Sequence, residues 1–186
     1  MPAGDIGVIM NGIVIYKSKY GSTKSYAKWI AEELGFELRE HRSVSIEDLM
    51  KYDTIIYGGG IYAEVVAGVT LITKNIEKLT DKKIAVFTTA ITPLDCRDYY
   101  DKMVYDKNFP KNVRDKIKVF NFLGKMIIDE LSFVHKSAIK TLKKIMSSKE
   151  NPTEMEKLLI SLCDTDADLT DKNAIKPLIE YIKSPF

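Results

Sequence analysis

The 186-residue sequence predicts an α/β fold built on a doubly wound parallel sheet, and three observations predict it. Strand-like and helical runs alternate from residue 13 onward, the pattern of a parallel sheet covered by helices. Two strand-like runs, Thr54-Ile55-Ile56-Tyr57 and Ile84-Ala85-Val86-Phe87, are almost unbroken apolar segments, as strands buried on both faces require. A hydroxyl-rich turn, Ser18-Lys19-Tyr20-Gly21-Ser22-Thr23, separates the first strand from the first helix. It lies beyond the carboxyl end of that strand, where open α/β sheets bind their ligands.

In chain order, the apolar run Ile13-Val14-Ile15-Tyr16 predicts a strand over 13–17. Residues 22–34 form an amphipathic helix with Trp29, Ile30 and Leu34 on its core face. Strands follow over 36–41 and 53–58, a helix over 65–78, a strand over 83–89, a helix over 95–106 and a fifth strand over 116–122. Beyond it, Leu131-Ser132-Phe133-Val134-His135-Lys136 leads into a helix over 137–146, Asn151-Pro152 breaks it, and a second helix runs over 154–162. A closing helix over 171–183 starts at Thr170 or Asp171 as N-cap. Residues 124–165 therefore read as an insertion within one domain, 10–186. Residues 1–9 read as an N-terminal extension, of natural or vector origin, set aside from the fold.

Composition bounds the function. With 45% apolar residues the chain can bury one substantial core. A formal charge of +2, with no basic run interleaved with stacking aromatics, gives no footprint for nucleic acid. Charge is uneven: residues 101–118 carry six Lys/Arg against three Asp, and residues 151–186 carry seven acidic side chains against four Lys. Two cysteines, Cys96 and Cys163, without metal or CxxC spacing, fit a reduced, cytoplasmic protein. No signal-peptide pattern and no apolar run of bilayer-spanning length occurs, which limits membrane contact to the peripheral kind.

The chemistry of the first turn follows from its position. A strand-to-helix turn leaves backbone N–H groups without partners, and the helix dipole aims them at an anion. Ser18, Ser22 and Thr23 add neutral donors, and Gly21 lets the backbone come close. A nucleoside triphosphate loop needs Gly-Lys-Ser/Thr at a fixed frame, and the order here is Gly-Ser-Thr-Lys. Neutral donors without a required cation suit a single phosphate ester. FMN, a phosphosugar and plain phosphate all satisfy that description, and helix capping by Ser22 or Thr23 is the plain structural alternative.

At these residues the chain resembles the flavodoxin-like family, whose FMN-phosphate loop places a hydroxyl residue, two positions, a glycine and further hydroxyls after the first strand. Two later segments, Gly58-Gly59-Gly60-Ile61-Tyr62-Ala63 and Thr88-Thr89-Ala90-Ile91-Thr92-Pro93, stand where that family has its isoalloxazine-contacting loops. The resemblance implies a five-stranded sheet in the order 2-1-3-4-5. It implies FMN held at the phosphate by Ser18, Lys19, Tyr20, Gly21, Ser22 and Thr23. Gly58, Gly59, Gly60, Ile61 and Tyr62 would lie along the ring, with Tyr62 as aromatic wall, and Thr88, Thr89, Ala90 and Ile91 along the pyrimidine edge. No catalytic side chain and no metal is implied, since FMN performs the electron transfer.

The implied function is FMN-dependent electron transfer with a redox partner protein or a small-molecule acceptor. The insertion resembles the branch containing the menaquinone-dependent protoporphyrinogen oxidases, which implies as alternative an FMN-dependent oxidoreductase with a quinone acceptor. There Phe133, His135, Lys136, Lys140 and Lys143 would meet a carboxylated tetrapyrrole or an anionic membrane surface. A cofactor-free phosphate-binding regulator is the third reading, and the oligomeric state stays open. Small flavodoxins that act as carriers are usually acidic, which the mildly basic balance here does not match.

Other residues read as structural. Cys96 reads as a packing residue at a helix start, and His41 and His135 have no acid–base partner visible in sequence. Gly58-x-Gly60-x-x-Ala63 satisfies the dinucleotide pattern but follows the wrong strand for it. Asp164-x-Asp166-x-Asp168 matches half of a calcium loop, with Leu169 at the required glycine and Ile175 at the closing glutamate.

Overall fold

The computed structural model describes residues 10–185; the expected extension at 1–9 lies outside them. The unbroken apolar runs of the central strands dictate the layering. β1 (Gly12–Lys17), β2 (Glu37–Glu40), β3 (Thr54–Tyr62), β5 (Lys83–Ala90) and β6 (Lys118–Leu123) pair in parallel in the spatial order β2-β1-β3-β5-β6. Counting the parallel strands alone, this is the expected 2-1-3-4-5. Ile13, Ile15, Ile55, Tyr57, Ile84 and Val86 face one side of the sheet, where Leu49, Ile72, Ile76, Val104, Phe109 and Val113 cover them. Val14, Ile56, Ala85 and Phe87 face the other, under Tyr26, Ala27, Ile30, Leu178, Ile179 and Ile182. Successive strand residues point to opposite faces, so the unbroken apolar runs feed both cores.

Helix α1 (Ser22–Leu34) runs back along the sheet and ends at Gly35, whose left-handed φ of 68° lets its N–H reach the Ala31 carbonyl. On the opposite face lie the short α2 (Ile46–Leu49), closed by a capping box between Ser45 and Asp48, and α3 (Thr70–Thr73).

The helix expected over 65–78 is not formed as such. Val65–Val66 turn back as β4, antiparallel on β3, with Tyr62 opposite Val65. Ala63 (φ 48°) and Glu64 (φ 65°) make the two-residue turn, the positive-φ hairpin that matches strand twist. Two β-branched valines favour the strand, and Gly68 at φ 75° delays the helix to residue 70. The hairpin also extends β3, so Gly58, Gly59 and Gly60 are strand interior and not a loop.

The helix expected over 95–106 winds as a π-helix over Asp98–Val104 and continues as α4 (Tyr105–Asn108), with α5 (Lys111–Arg114) next. Past β6, β7 (Lys125–Met126) pairs antiparallel with β8 (Ala167–Asp168), closing the base of the segment expected as an insertion. Between them stand α6 (Phe133–Ser147) and α7 (Glu154–Leu162), the latter started by a Thr153–Glu156 capping box. Asp171 caps a 3-10 turn before α8 (Lys176–Lys183). The acidic run at 164–168 is spent locally: Asp166 accepts from the Ile128 N–H, Asp168 from Thr170, and Asp164 pairs with Lys143.

Candidate functional site

The carboxyl ends of β1, β5 and β6 bring three chain segments together. Gly21 at φ 93° is the N-cap of α1 and has no side chain to cap it, and the first turn holds no acidic residue. Its own N–H donates to the Ser18 hydroxyl at 3.1 Å, folding the turn back on itself. The helix therefore presents its positive end without an internal anion.

Lys125 reaches this point from β7. Its Cε lies 3.4 Å and its Nζ 3.6 Å from where a Cβ on Gly21 would stand. A cation thus adjoins the helix start, in loose ion contact with Glu130 at 4.0 Å. Gly124 lies beside Ser22, since a Cβ there would be 3.2 Å from the Ser22 hydroxyl, and its N–H donates to the Ala90 carbonyl at 2.7 Å.

The expected hydroxyls do not all serve alike. Ser22 is buried at the helix start. Thr23 is also buried, with its hydroxyl 2.7 Å from that of Thr89, so these two expected site residues bond each other. Thr88 is fully buried and donates to Asn121 at 2.7 Å. Within 88–91, Ala90 and Ile91 are the half-buried members. Gly58 and Gly59 serve packing: a Cβ on Gly58 would overlap the Phe87 ring, and one on Gly59 would stand 2.7 Å from Val66 Cγ1 and 2.8 Å from the Ala67 carbonyl oxygen. Ile61 packs against the core on the α2 and α3 side.

A second cluster is aromatic. Tyr62 stacks on His135 with centroids 5.1 Å apart and planes at 26°, and Tyr20 meets both edge-on, at 6.1 and 5.5 Å. The Tyr20 hydroxyl lies 2.6 Å from His135 Nδ1, and Lys19 Nζ donates to the Ser132 hydroxyl at 3.2 Å. Burial, then the neighbouring Tyr20, pushes the Tyr62 hydroxyl up to about 12. Burial and then the Lys19 charge hold His135 below the ordinary histidine value. A planar ligand reaching Tyr62 must share it with His135 or displace it.

The Ala63-Glu64 turn that carries Tyr62 sits in backbone conformations that cost energy for residues with a Cβ. Asn108 holds it there: its amide donates to the Glu64 carbonyl at 2.6 Å, and its Oδ1 accepts the Val66 N–H at 2.8 Å. Lys107 adds a bond to the Ala63 carbonyl at 3.0 Å. Lys125, Ser132 and Asn108 were not found from sequence. Lys125 carried one legible signal, its place just past a strand end at the ligand-binding edge. Asn108, more than forty residues from its turn, carried none.

A model of the flavodoxin domain matches residues 13–154, and the chain belongs to that family. It is 32% identical over 120 residues to an uncharacterized protein of Methanocaldococcus jannaschii, covering 62% of this chain and 72% of the relative. Among solved structures, the two-electron reduced flavodoxin of Megasphaera elsdenii aligns at 14% identity over 83% of this chain and 99% of its own, with TM-score 0.44. Oxidised Flavodoxin 2 of Bacillus cereus aligns at 18% over 82% and 94%, with TM-score 0.42. A flavoprotein of Lactobacillus acidophilus in complex with FMN aligns at 17% over 61% and 92%, with TM-score 0.39. At such scores no residue role is carried across.

Proposed function

We propose that this flavodoxin-domain protein binds FMN and transfers electrons through it. The observation that carries the reading is the start of α1, where the Lys125 amine reaches an N-cap without a side chain and the buried Ser22 hydroxyl follows it in the first turn. That arrangement fits a phosphate monoester. Backbone N–H groups of the first turn, Ser22 and Lys125 would hold the phosphate, and Tyr62 would lie against the ring. Bound FMN supplies the redox chemistry; the chain binds, orients and shields it.

Thr23 and Thr89 support the site from behind, because their hydroxyls bond each other. Lys19 and Tyr20 join the turn to residues 132–135. Both cysteines are free, which fits the reduced, cytoplasmic location expected from their number and spacing. Among the described residues no helix is long and apolar enough to cross a membrane.

A second reading has one observation in its favour. Residues 132–135 pack against Lys19, Tyr20 and Tyr62, so the start of α6 forms a wall of the same site. That suits an FMN-dependent oxidoreductase of the protoporphyrinogen oxidase type, using a quinone acceptor.

An absorbance scan of the purified protein and titrations with FMN and riboflavin test the proposal. Ser22→Ala and Lys125→Met should each weaken FMN binding roughly tenfold or more, the worth of a bond to a charged group, and leave riboflavin affinity unchanged. Thr23 is left intact, since removing it would orphan Thr89. A colourless protein that takes up no FMN overturns both redox readings and favours a phosphate-binding regulator. Equal affinity for FMN and riboflavin removes the phosphate site. Anaerobic turnover of protoporphyrinogen with a quinone, above that of a flavodoxin control, selects the second reading.

A further inference from the structure

We infer that α6 is a peripheral anchor that lays this protein on an anionic bilayer surface. The helix is amphipathic in the opposite sense to α1. Of its fifteen residues only Met146 is buried, while Phe133 is 85% exposed, Val134 71%, Ile145 55% and Leu142 48%. At 3.6 residues per turn, 134, 138, 141 and 145 fall within about 60° of one another, His135, Ile139 and Met146 lie about 100–140° around from Val134, and Leu142 stands at the border between the two. The apolar stripe therefore points away from the protein, with Ser137, Ala138 and Thr141 filling it between the large residues.

Charge identifies the occupant. α6 carries Lys136, Lys140, Lys143 and Lys144 and no acidic residue. Lys143 is held by Asp164. Lys140 and Lys144 stand about two and three turns beyond Phe133 on its side of the helix, both exposed, and neither makes an ion pair among the described residues. An apolar stripe bordered by lysines is the pattern of a helix lying in the plane of a membrane interface, with ammonium groups at the lipid phosphates and apolar side chains at the acyl boundary. A second copy packed antiparallel on the stripe would set lysines against lysines along the same edge. The first turn of α6 also carries Ser132 and His135 against Tyr20 and Tyr62, so this anchoring puts the candidate site at the bilayer surface, within reach of a lipid-dissolved electron partner.

Co-sedimentation of the full chain with vesicles decides it. The protein should pellet with vesicles of phosphatidylcholine and phosphatidylglycerol, stay in solution with phosphatidylcholine alone, and be released by salt. Lys140→Gln with Lys144→Gln should weaken binding about fivefold per charge, and Phe133→Ser with Val134→Ser roughly tenfold or more. All four side chains are exposed, so circular dichroism and the thermal midpoint should not change. No binding to the anionic vesicles overturns the inference, as does undiminished binding by either pair of variants. A dimer by light scattering that Phe133→Ser with Val134→Ser converts to monomer overturns it too, since the stripe would then be covered by a second copy.

Discussion

Gly58→Ala separates two roles for the same glycine. In sequence, three glycines at a strand end read as a place where backbone meets a flat ligand. In the structure Gly58 lies opposite Phe87 in the parallel register of β3 and β5, and the Phe87 ring occupies the place a Cβ would take. Phe87 has nowhere to go: it is fully buried, 5.6 Å from Phe122 and 6.5 Å from Tyr26 between ring centroids. Overpacking of this depth costs about 3 kcal/mol, the upper end of the usual range. Replacing a strand glycine by alanine returns up to about 1 kcal/mol of backbone entropy.

The net loss is about 2 kcal/mol, or roughly 4–8 °C in thermal midpoint for a domain of this size. Thermal and urea unfolding of the wild type, Gly58→Ala, Phe87→Leu and the double variant measure it. Shortening Phe87 makes room, so the double variant should be more stable than the sum of the single losses by about 1 kcal/mol or more. If Gly58→Ala unfolds like the wild type while FMN affinity falls, the glycine serves the ligand and the packing argument is wrong.

Asn108→Ala removes the clamp on the Ala63-Glu64 turn and leaves the Val66 N–H and Glu64 carbonyl without that partner; a loss of about 2–4 kcal/mol and faster amide exchange at 62–66 should follow, and unchanged exchange there would refute the clamp. Acid sensitivity should begin with the histidines. His135, facing Tyr20, Tyr62 and Lys19, and His41, facing Tyr57, Lys17, Arg42 and Glu40, both have folded values held down first by burial and then by nearby cations. The folded state then binds fewer protons than the unfolded one, so stability is full above about pH 6.5 and falls as pH drops through that value toward the folded ones. Urea midpoints taken between about pH 7.5 and 5 should decline, with part of the slope lost in His135→Asn; a flat or rising profile would contradict the assignment.

The five parallel strands, α1 and the glycine turn before it were legible because each is a local signal: a buried run, a 3.6-residue period, a glycine between hydroxyls. The hairpin at 62–66 was not, since its β-branched valines favour a strand but so short an apolar run does not separate a strand from a helix start. What decided it was Asn108, reaching the turn from another element. Gly58 looked like a ligand loop because sequence shows a glycine's freedom and not its neighbour, which here is an aromatic ring on the adjoining strand. Thr23 and Thr89 were each expected at a bound ligand, and only their 2.7 Å separation shows that they spend their hydroxyls on each other.

The sequence by itself determined the fold class, the strand order through its family resemblance, and the anion-seeking end of α1. Tertiary structure alone decided that Lys125 stands over Gly21, that His135 lies on Tyr62, and that the apolar stripe of α6 faces outward. The physical reason is range. Hydrogen bonding along the backbone and the side-chain period act over a few residues and are written in order along the chain. Ring stacking, steric overlap and charge proximity act between segments that meet only once the sheet has set their distance.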